Sequence, residues 1–263
     1  MSEIISCGID IGSVSTEAVI LKKNKQNIEI VSYAVLPTGS NSKIAAEKAL
    51  DDTCRSAGLK KEQIHKTVAT GYGRINVSFA DKNITEISCH AQGALFFYPD
   101  TRLVIDIGGQ DSKVIRIDEN KQPIDFLMND KCAAGTGRFL EVMAQALEID
   151  LTHFGEIFLK TKETVDITST CTVFAESEIV SLIGHGEDKN KIVKGLIYSI
   201  ANRVSTMVER VGLAEPVCMT GGVAKNTGVV QAVEESLHTK ISLPEEPQII
   251  GALGAASMAL RLK

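Results

Sequence analysis

Two stretches, Gly8-Ile9-Asp10-Ile11-Gly12-Ser13-Val14-Ser15-Thr16-Glu17-Ala18-Val19-Ile20-Leu21 and Val104-Ile105-Asp106-Ile107-Gly108-Gly109-Gln110-Asp111-Ser112-Lys113-Val114-Ile115-Arg116-Ile117, say nearly the same thing 96 positions apart. Each is an apolar strand ending in Asp, then a small-residue turn, then a second β-prone run. A carboxylate at the end of a buried strand beside a Gly turn aims negative charge and bare backbone N–H groups into a cleft. Two such copies facing each other would hold Mg²⁺ and a polyphosphate between them. The duplication points to a nucleotide clamp.

The chain of 263 residues has room for two domains, and the repeat favours that division. A hydrophobic content of 44% with no Trp suits an α/β protein with a real core. The net charge of −5, with no basic run interleaved with aromatics, argues against a nucleic-acid partner. The opening MSEIISCGIDI lacks a charged n-region and a cleavage site and reads as a first strand. No stretch reaches the length of a membrane span, so no membrane partner and a cytoplasmic location are expected. The six cysteines, Cys7, Cys54, Cys89, Cys132, Cys171 and Cys218, lie far apart with no CxxC pair. Disulfides are a poor default in such a protein, and most of these thiols read as small buried hydrophobes.

The spacing predicts strands at 3–11, 15–22 and 28–36, then an amphipathic helix over 42–57. Ile44, Leu50 and Cys54 are expected on its apolar side and Gly58 at its stop. HKTVATG reads as a fourth strand ending at Gly71-Tyr72-Gly73, and a small-residue helix follows Thr85. The second half replays this order: strands at 102–107, 111–117 and 124–127, then a helix from Thr136 to Leu147. A long helix over 189–212 carries Val193, Leu196, Ile200, Val204, Met207 and Val211 on one stripe. A strand at 216–220, the Gly221-Gly222 turn, a helix near 224–236, a strand at 240–243 and a terminal helix from Gly251 complete the chain.

Neither standard phosphate signature is present. No GxxxxGK[ST] occurs, and Gly71-Tyr72-Gly73 lacks the third glycine of a dinucleotide fingerprint. Instead Gly12 and Ser13 on one side, and Gly108 and Gly109 on the other, would let backbone amides approach phosphate oxygens. Asp10 and Asp106 would hold Mg²⁺ through its waters, because Mg²⁺ keeps much of its hydration shell. Gln110 would orient the attacking water. The loop Met219-Thr220-Gly221-Gly222-Val223-Ala224-Lys225-Asn226 repeats the logic of strand, glycine pair and helix, and would let a base or ribose lie on the backbone.

This order of loops resembles the superfamily of actin, sugar kinases and the chaperone ATPases. That resemblance implies an α/β protein of two duplicated ribonuclease-H-like domains with ATP between them. The first would span 1–98, completed by the C-terminal helix 251–263, and the second 99–250. The loop Asp10 to Glu17, with Val14, Ser15 and Thr16, and the loop Asp106 to Asp111 would clamp the phosphates. Gly221, Gly222 and Asn226 would meet the adenosine.

Two cysteines stand apart. Asn129-Asp130-Lys131-Cys132-Ala133-Ala134-Gly135-Thr136-Gly137 puts Cys132 in a small-residue loop before a helix, whose positive end would stabilise a thiolate or an anionic cluster. Ser169-Thr170-Cys171-Thr172 sets Cys171 near another helix start. Two thiolates cannot complete a cubane cluster, which wants four, whereas a symmetric dimer supplies four. The motifs NDKCAAGTGRFLEVMA, STCTVFAESEIVSL, DIGGQDSKVI, ATGYGR, EISCHAQGA and TGGVAKN resemble the ATP-dependent activators of 2-hydroxyacyl-CoA dehydratases, a family that includes the ATPase subunits of benzoyl-CoA reductase. The resemblance implies a homodimer bridging one [4Fe–4S] cluster through Cys132 and Cys171 of each subunit, with Mg²⁺ and ATP or ADP in each cleft. Gly135 and Thr136 become candidate nucleotide contacts. A ferredoxin or flavodoxin would donate the electron, and a dehydratase or other double-cluster reductase would accept it. The helix after Thr136 would then point its amides at the cluster. Two other readings stay open: a small sugar or carboxylate kinase on the same scaffold, and an ATP-gated binding or filament protein.

Overall fold

The computed structural model describes residues 3–25, 27–168 and 171–262. Ser169 and Thr170 of the second cysteine motif lie outside the described residues. Antiparallel strands β1 (Ile4–Ile11), β2 (Ser15–Lys23) and β3 (Ile28–Pro37) open the chain. Most of β1 and β2 is buried on both faces, which is why their sequences run apolar without alternating. Helix α1 (Ser42–Ala57) begins where Asn41 Oδ1 accepts from Ile44 N and ends at Gly58, whose φ of +65° is left-handed. Leu50 and Cys54 are on its buried face as expected, but Ile44 is 60% exposed. The buried stripe runs through Ala46, Leu50 and Cys54 at four-residue spacing, and Ile44 falls outside it. Strands β4 (Lys66–Thr70) and β5 (Lys82–Asn83) join in parallel and complete a sheet of order β3-β2-β1-β4-β5.

Helix α2 (Glu86–Phe97), capped by Thr85, leads to β6 (Leu103–Ile107), β7 (Ser112–Ile117) and β8 (Pro123–Asn129). Helices α3 (Gly137–Leu147), α4 (Phe154–Lys160), α5 (Thr172–Gly184) and α6 (Lys189–Val211) follow. Then come β9 (Val217–Thr220), α7 (Thr227–Leu237), β10 (Ile241–Ser242) and α8 (Ile250–Ala259). The second sheet reads β8-β7-β6-β9-β10, the order of the first sheet again. The fold is therefore α/β, with two duplicated ribonuclease-H-like halves. Of these elements, β5 and α4 were not foreseen from the sequence.

The duplication extends to single residues. Asp10 pairs with Glu17 on β2 and Thr70 on β4; Asp106 pairs with Lys113 on β7 and Thr220 on β9. The turns match too, Gly12 N donating to Ser15 O and Gly108 N to Asp111 O, both at 2.9 Å. The larger core lies under the second sheet, where the stripe Val193, Leu196, Ile200, Val204 and Met207 of α6 packs with α3, α4 and α7. A smaller core joins α1 to the first sheet.

Helix α8 is apolar nearly all round and almost wholly buried, because it fills the space between the first sheet and α2. The fit depends on backbone approach: a Cβ on Gly254 would lie 1.7 Å from Cys89 O and 2.9 Å from Gly93 N, both backbone atoms that cannot rotate away. Gly254→Ala should therefore push α8 off α2 and lower stability by roughly 3 kcal/mol. Urea unfolding at constant m-value measures it, and an unchanged midpoint would refute the close approach.

Candidate functional site

Between the two sheets lies a cleft of about 1090 Å³, at the upper end of the range for ligand sites. The duplicated turns face each other across it. Asp10, Gly12, Ser13, Val14 and Ser15 line one wall, and Asp106, Gly108, Gly109 and Gln110 the other. Gly221, Gly222 and Asn226 line the same cavity, next to an apolar shelf of Leu140, Leu151, Leu159 and Val223 on which a flat base could rest. Asn226 also caps α7, its Oδ1 accepting from Gly228 N and Val229 N.

Three expected nucleotide contacts are not on the cleft wall. Thr16 is fully buried with its hydroxyl bonded to Thr38 Oγ1 at 2.8 Å. Thr136 is likewise buried and donates to Ala133 O at 2.6 Å. Gly135 lies behind the cysteine loop, against Arg203. Alternation along β2 turns Thr16 away from the cleft while Ser15 and Glu17 stay on it.

Sequence reading paired Gly221-Gly222 with the adenosine but left Gly71-Tyr72-Gly73 unassigned. In space, Gly71 and Gly221 are counterparts, each following the Thr opposite an Asp. Their φ values are +82° and +87°, and a Cβ on either would fall 2.3 Å from Asp10 Oδ1 or 2.8 Å from Asp106 Oδ1. Each glycine lets a chain turn pass directly over its carboxylate.

The charges in the cleft are not symmetric. Asp106 is 2% exposed; its Oδ2 takes Lys113 Nζ at 3.1 Å and its Oδ1 takes Thr220 Oγ1 at 2.9 Å. Burial alone would raise its pKa, but His90 and Lys113, with these hydrogen bonds, hold it below the usual carboxylate range. Lys113 also donates to Asp111 Oδ2 at 2.9 Å. Burial works against its charge, yet the two carboxylates hold its pKa above the usual lysine value. Asp10 has no lysine. Burial pushes it up to about 6, against the pull of His90 and Lys113. Glu17, in the place Lys113 occupies in the other half, is pushed up to about 8, by burial first and Asp10 second. It accepts from Gln248 Nε2 at 3.2 Å, and the same nitrogen donates to Ser15 Oγ at 3.0 Å.

His90 on α2 stands between the two aspartates. Its Nδ1 is 3.3 Å from Asp106 Oδ1 and its Nε2 3.7 Å from Asp10 Oδ2. His90, Lys113, Glu17 and Gln248 were all missed from sequence. A histidine on the buried side of a small-residue helix was the available signal.

The cysteines divide sharply. Cys7, Cys54, Cys89 and Cys218 are buried, and burial raises each thiol pKa, to about 12 for Cys89 and Cys218. Cys132 is half-buried and Cys171 exposed, at the N-cap of α5. The amides at the start of α3, expected to face a cluster, are engaged elsewhere: Gly137 N donates to Gly108 O at 2.9 Å and Arg138 N to Gly109 O at 2.7 Å. The helix following Cys132 thus begins on the Gly108–Gly109 turn itself. Among the described residues, no group of three or more His, Cys, Asp or Glu within this single chain could hold a metal. No helix among them is long and apolar enough to cross a membrane.

Residues 7–259 match the BadF/BadG/BcrA/BcrD ATPase family. The chain belongs to that family. It is 52% identical over 252 residues to an activator of lactoyl-CoA dehydratase from Anaerotignum propionicum, covering 96% of each chain. It is 46% identical to the (R)-2-hydroxyglutaryl-CoA dehydratase activating ATPase of Acidaminococcus fermentans, covering 98% of each. The activator of 2-hydroxyisocaproyl-CoA dehydratase from Clostridium difficile, solved with bound ADPNP, superposes with a TM-score of 0.92 at 46% identity, over 98% of this chain and 95% of that one. This BadF/BadG/BcrA/BcrD-family ATPase carries its cleft between the two duplicated sheets.

The Glu17 carboxylate gives a pH test. Its pKa rises from 4.5 to about 8 on folding, so the folded state resists its ionisation. Stability contributed by the protonated form is complete below about 4.5 and is lost as the pH climbs through about 8. Glu17→Gln keeps the hydrogen bond from Gln248 and removes the charge. The nucleotide-free variant should match its parent near pH 5 and exceed it above pH 8 by an amount on the order of 3 kcal/mol. Thermal melts across that range measure this, and parallel curves would rule it out.

Proposed function

We propose that this protein hydrolyses ATP in the cleft and couples that step to delivery of one low-potential electron. The acceptor is a 2-hydroxyacyl-CoA dehydratase or a related double-cluster protein. The observation that carries the redox half is the sorting of the thiols: of six cysteines, only Cys132 and Cys171 reach the surface. Cys132 follows Asp130 and Lys131 of the cleft wall, and Cys171 opens α5, which packs on α3. The donor set suits a shared [4Fe–4S] group, two thiols per chain and four across a homodimer axis. Helix α5 supports a second copy there, because Val173, Phe174 and Val180 beside Cys171 are 67%, 68% and 59% exposed. The cluster, when bound, supplies the one-electron carrier; a ferredoxin or flavodoxin would reduce it. Cys171 sits where the first-turn amides of α5 favour negative charge.

On the nucleotide side, the chain's residues divide the work. Asp10, with no lysine of its own, is suited to accept from the waters of hydrated Mg²⁺. Asp106, expected with Asp10 to hold Mg²⁺, accepts from Lys113 and Thr220 here, one donor on each oxygen, and would anchor Lys113 against the phosphates while its remaining lone pairs face the hydrated ion. The amides around Gly12–Ser13 and Gly108–Gly109 approach the phosphate oxygens. Gln110, exposed on the wall, orients the water. A kinase reading leaves Cys132 and Cys171 without a role.

Anaerobically purified protein should carry about four irons per dimer, and Cys132→Ser or Cys171→Ser should each abolish binding, because a shared cluster loses two ligands at once. Full iron in either variant overturns the shared-ligand reading. Asp10→Asn should slow ATP hydrolysis by on the order of 10²–10³ while iron content stays at the parental level. Hydrolysis at the parental rate would remove Asp10 from the clamp.

A further inference from the structure

The Cys132 loop is tied down at both ends, and only one tie belongs to the nucleotide site. At its far end, Gly137 N and Arg138 N hang on the carbonyls of Gly108 and Gly109. At its near end the last residue of β8, Asn129, turns its amide back into the loop. Asn129 Nδ2 donates to Cys132 O at 2.8 Å and to Ala134 O at 3.3 Å. Arg203 of α6 stands behind this amide, its Nη2 donating to Asn129 Oδ1 at 3.4 Å. The arginine stem is laid flat on the loop: a Cβ at Gly135, whose φ is +83°, would fall 2.7 Å from Arg203 Cδ. Arg203 Nε is buried with no hydrogen-bond partner among the described residues. The groove beside it holds Arg203 and Arg210 but no Asp or Glu. A guanidinium kept there without a carboxylate serves the polar group it reaches among the described residues, the Asn129 amide.

We infer that Asn129 and Arg203 are positioning residues for Cys132: they fix one end of its loop to α6, so that movement of the Gly108–Gly109 turn is felt at the thiol instead of being absorbed by slack. The inference rests on the proposed ATP-coupled use of Cys132. The segment of residues 130–136, held at one end only, would follow the nucleotide turn without changing its own shape. Held at both ends, it must deform, and Cys132 is inside it. Helix α6 supplies a fixed anchor because its opposite face is packed into the larger core.

Cluster-free protein carrying Cys171→Ser isolates the effect, since the four other thiols are buried and only Cys132 is left to react. Alkylation of Cys132 by N-ethylmaleimide would be timed at one pH without nucleotide, with Mg-ADP and with a non-hydrolysable Mg-ATP analogue. The rate should differ between nucleotide states by about threefold or more in this background. Asn129→Ala and Arg203→Gln should each raise the rate by about fivefold to tenfold, the effect of losing one hydrogen bond that closes a loop, and erase the difference between nucleotides. Nucleotide affinity, followed by calorimetry, should stay at the background value. Arg203→Lys keeps the stem over Gly135 but withdraws the planar fork, and should behave like Arg203→Gln. Unchanged rates in Asn129→Ala and Arg203→Gln, or a nucleotide response that survives them, would overturn the inference. If either variant fails to fold, Gly135→Ala displaces the same arginine stem from the loop side and must give the same loss of response. Failure of the proposed function would show differently, as absent nucleotide binding in the unaltered protein.

Discussion

Two carboxylates buried at the same register of duplicated sheets must stand in one cleft, and the rest of the site is organised by what makes that tolerable. Asp10 and Asp106 repel each other, and neither is solvated enough to shed the cost to water. His90 is inserted between them from α2, and Lys113 neutralises Asp106 from the neighbouring strand. The result is an uneven pair: Asp106 is held ionised, while Asp10 is pushed upward and left short of positive charge. A site in that state is primed for a cation and its phosphates, because bound Mg²⁺ would supply what the first half lacks. Duplication built the frame, and one exchange, Glu17 for Lys113, made the halves unequal.

The same asymmetry links the halves mechanically. Gln248, on the turn before α8, reaches across to Ser15 and Glu17 in the first half. Helix α8 itself is wedged between the first sheet and α2, and α2 carries His90. Packed helices, not a flexible linker, therefore join the elements that carry the cleft charges. On the other wall, the Gly108–Gly109 turn shares backbone hydrogen bonds with the start of α3, five residues from Cys132. The Gly108–Gly109 turn and the cysteine loop are thus joined directly, and in the proposed function that junction is a route by which hydrolysis would alter the cluster's surroundings.

Some of this was legible early. Strands β1, β2 and β6 declare themselves because burial on both faces leaves apolar runs, and α6 because six of its residues recur on one stripe. Helix α5 was harder to read as an element. Only Ala175 and Ile179 are buried in it, so no periodic stripe exists, and its exposed Val173, Phe174 and Val180 dilute the pattern further. Ile44 misled for the opposite reason, an apolar residue near a real stripe but off its axis. Thr16, expected as part of the first loop, and Thr136, expected as a nucleotide contact, are both turned inward, by strand alternation and by a loop hydrogen bond.

The sequence by itself determined the duplication, the pairing of Asp10 with Asp106, the glycine turns and the two cysteine motifs. Each is a local pattern, written in consecutive residues with a fixed spacing. Only the tertiary structure decided that Glu17 stands on the cleft wall against Gln248, that His90 lies between the aspartates, and that Arg203 backs the Cys132 loop. These are contacts between residues tens of positions apart, set by strand register and helix packing. No local propensity encodes them; they exist only once the two sheets have closed around the same cleft.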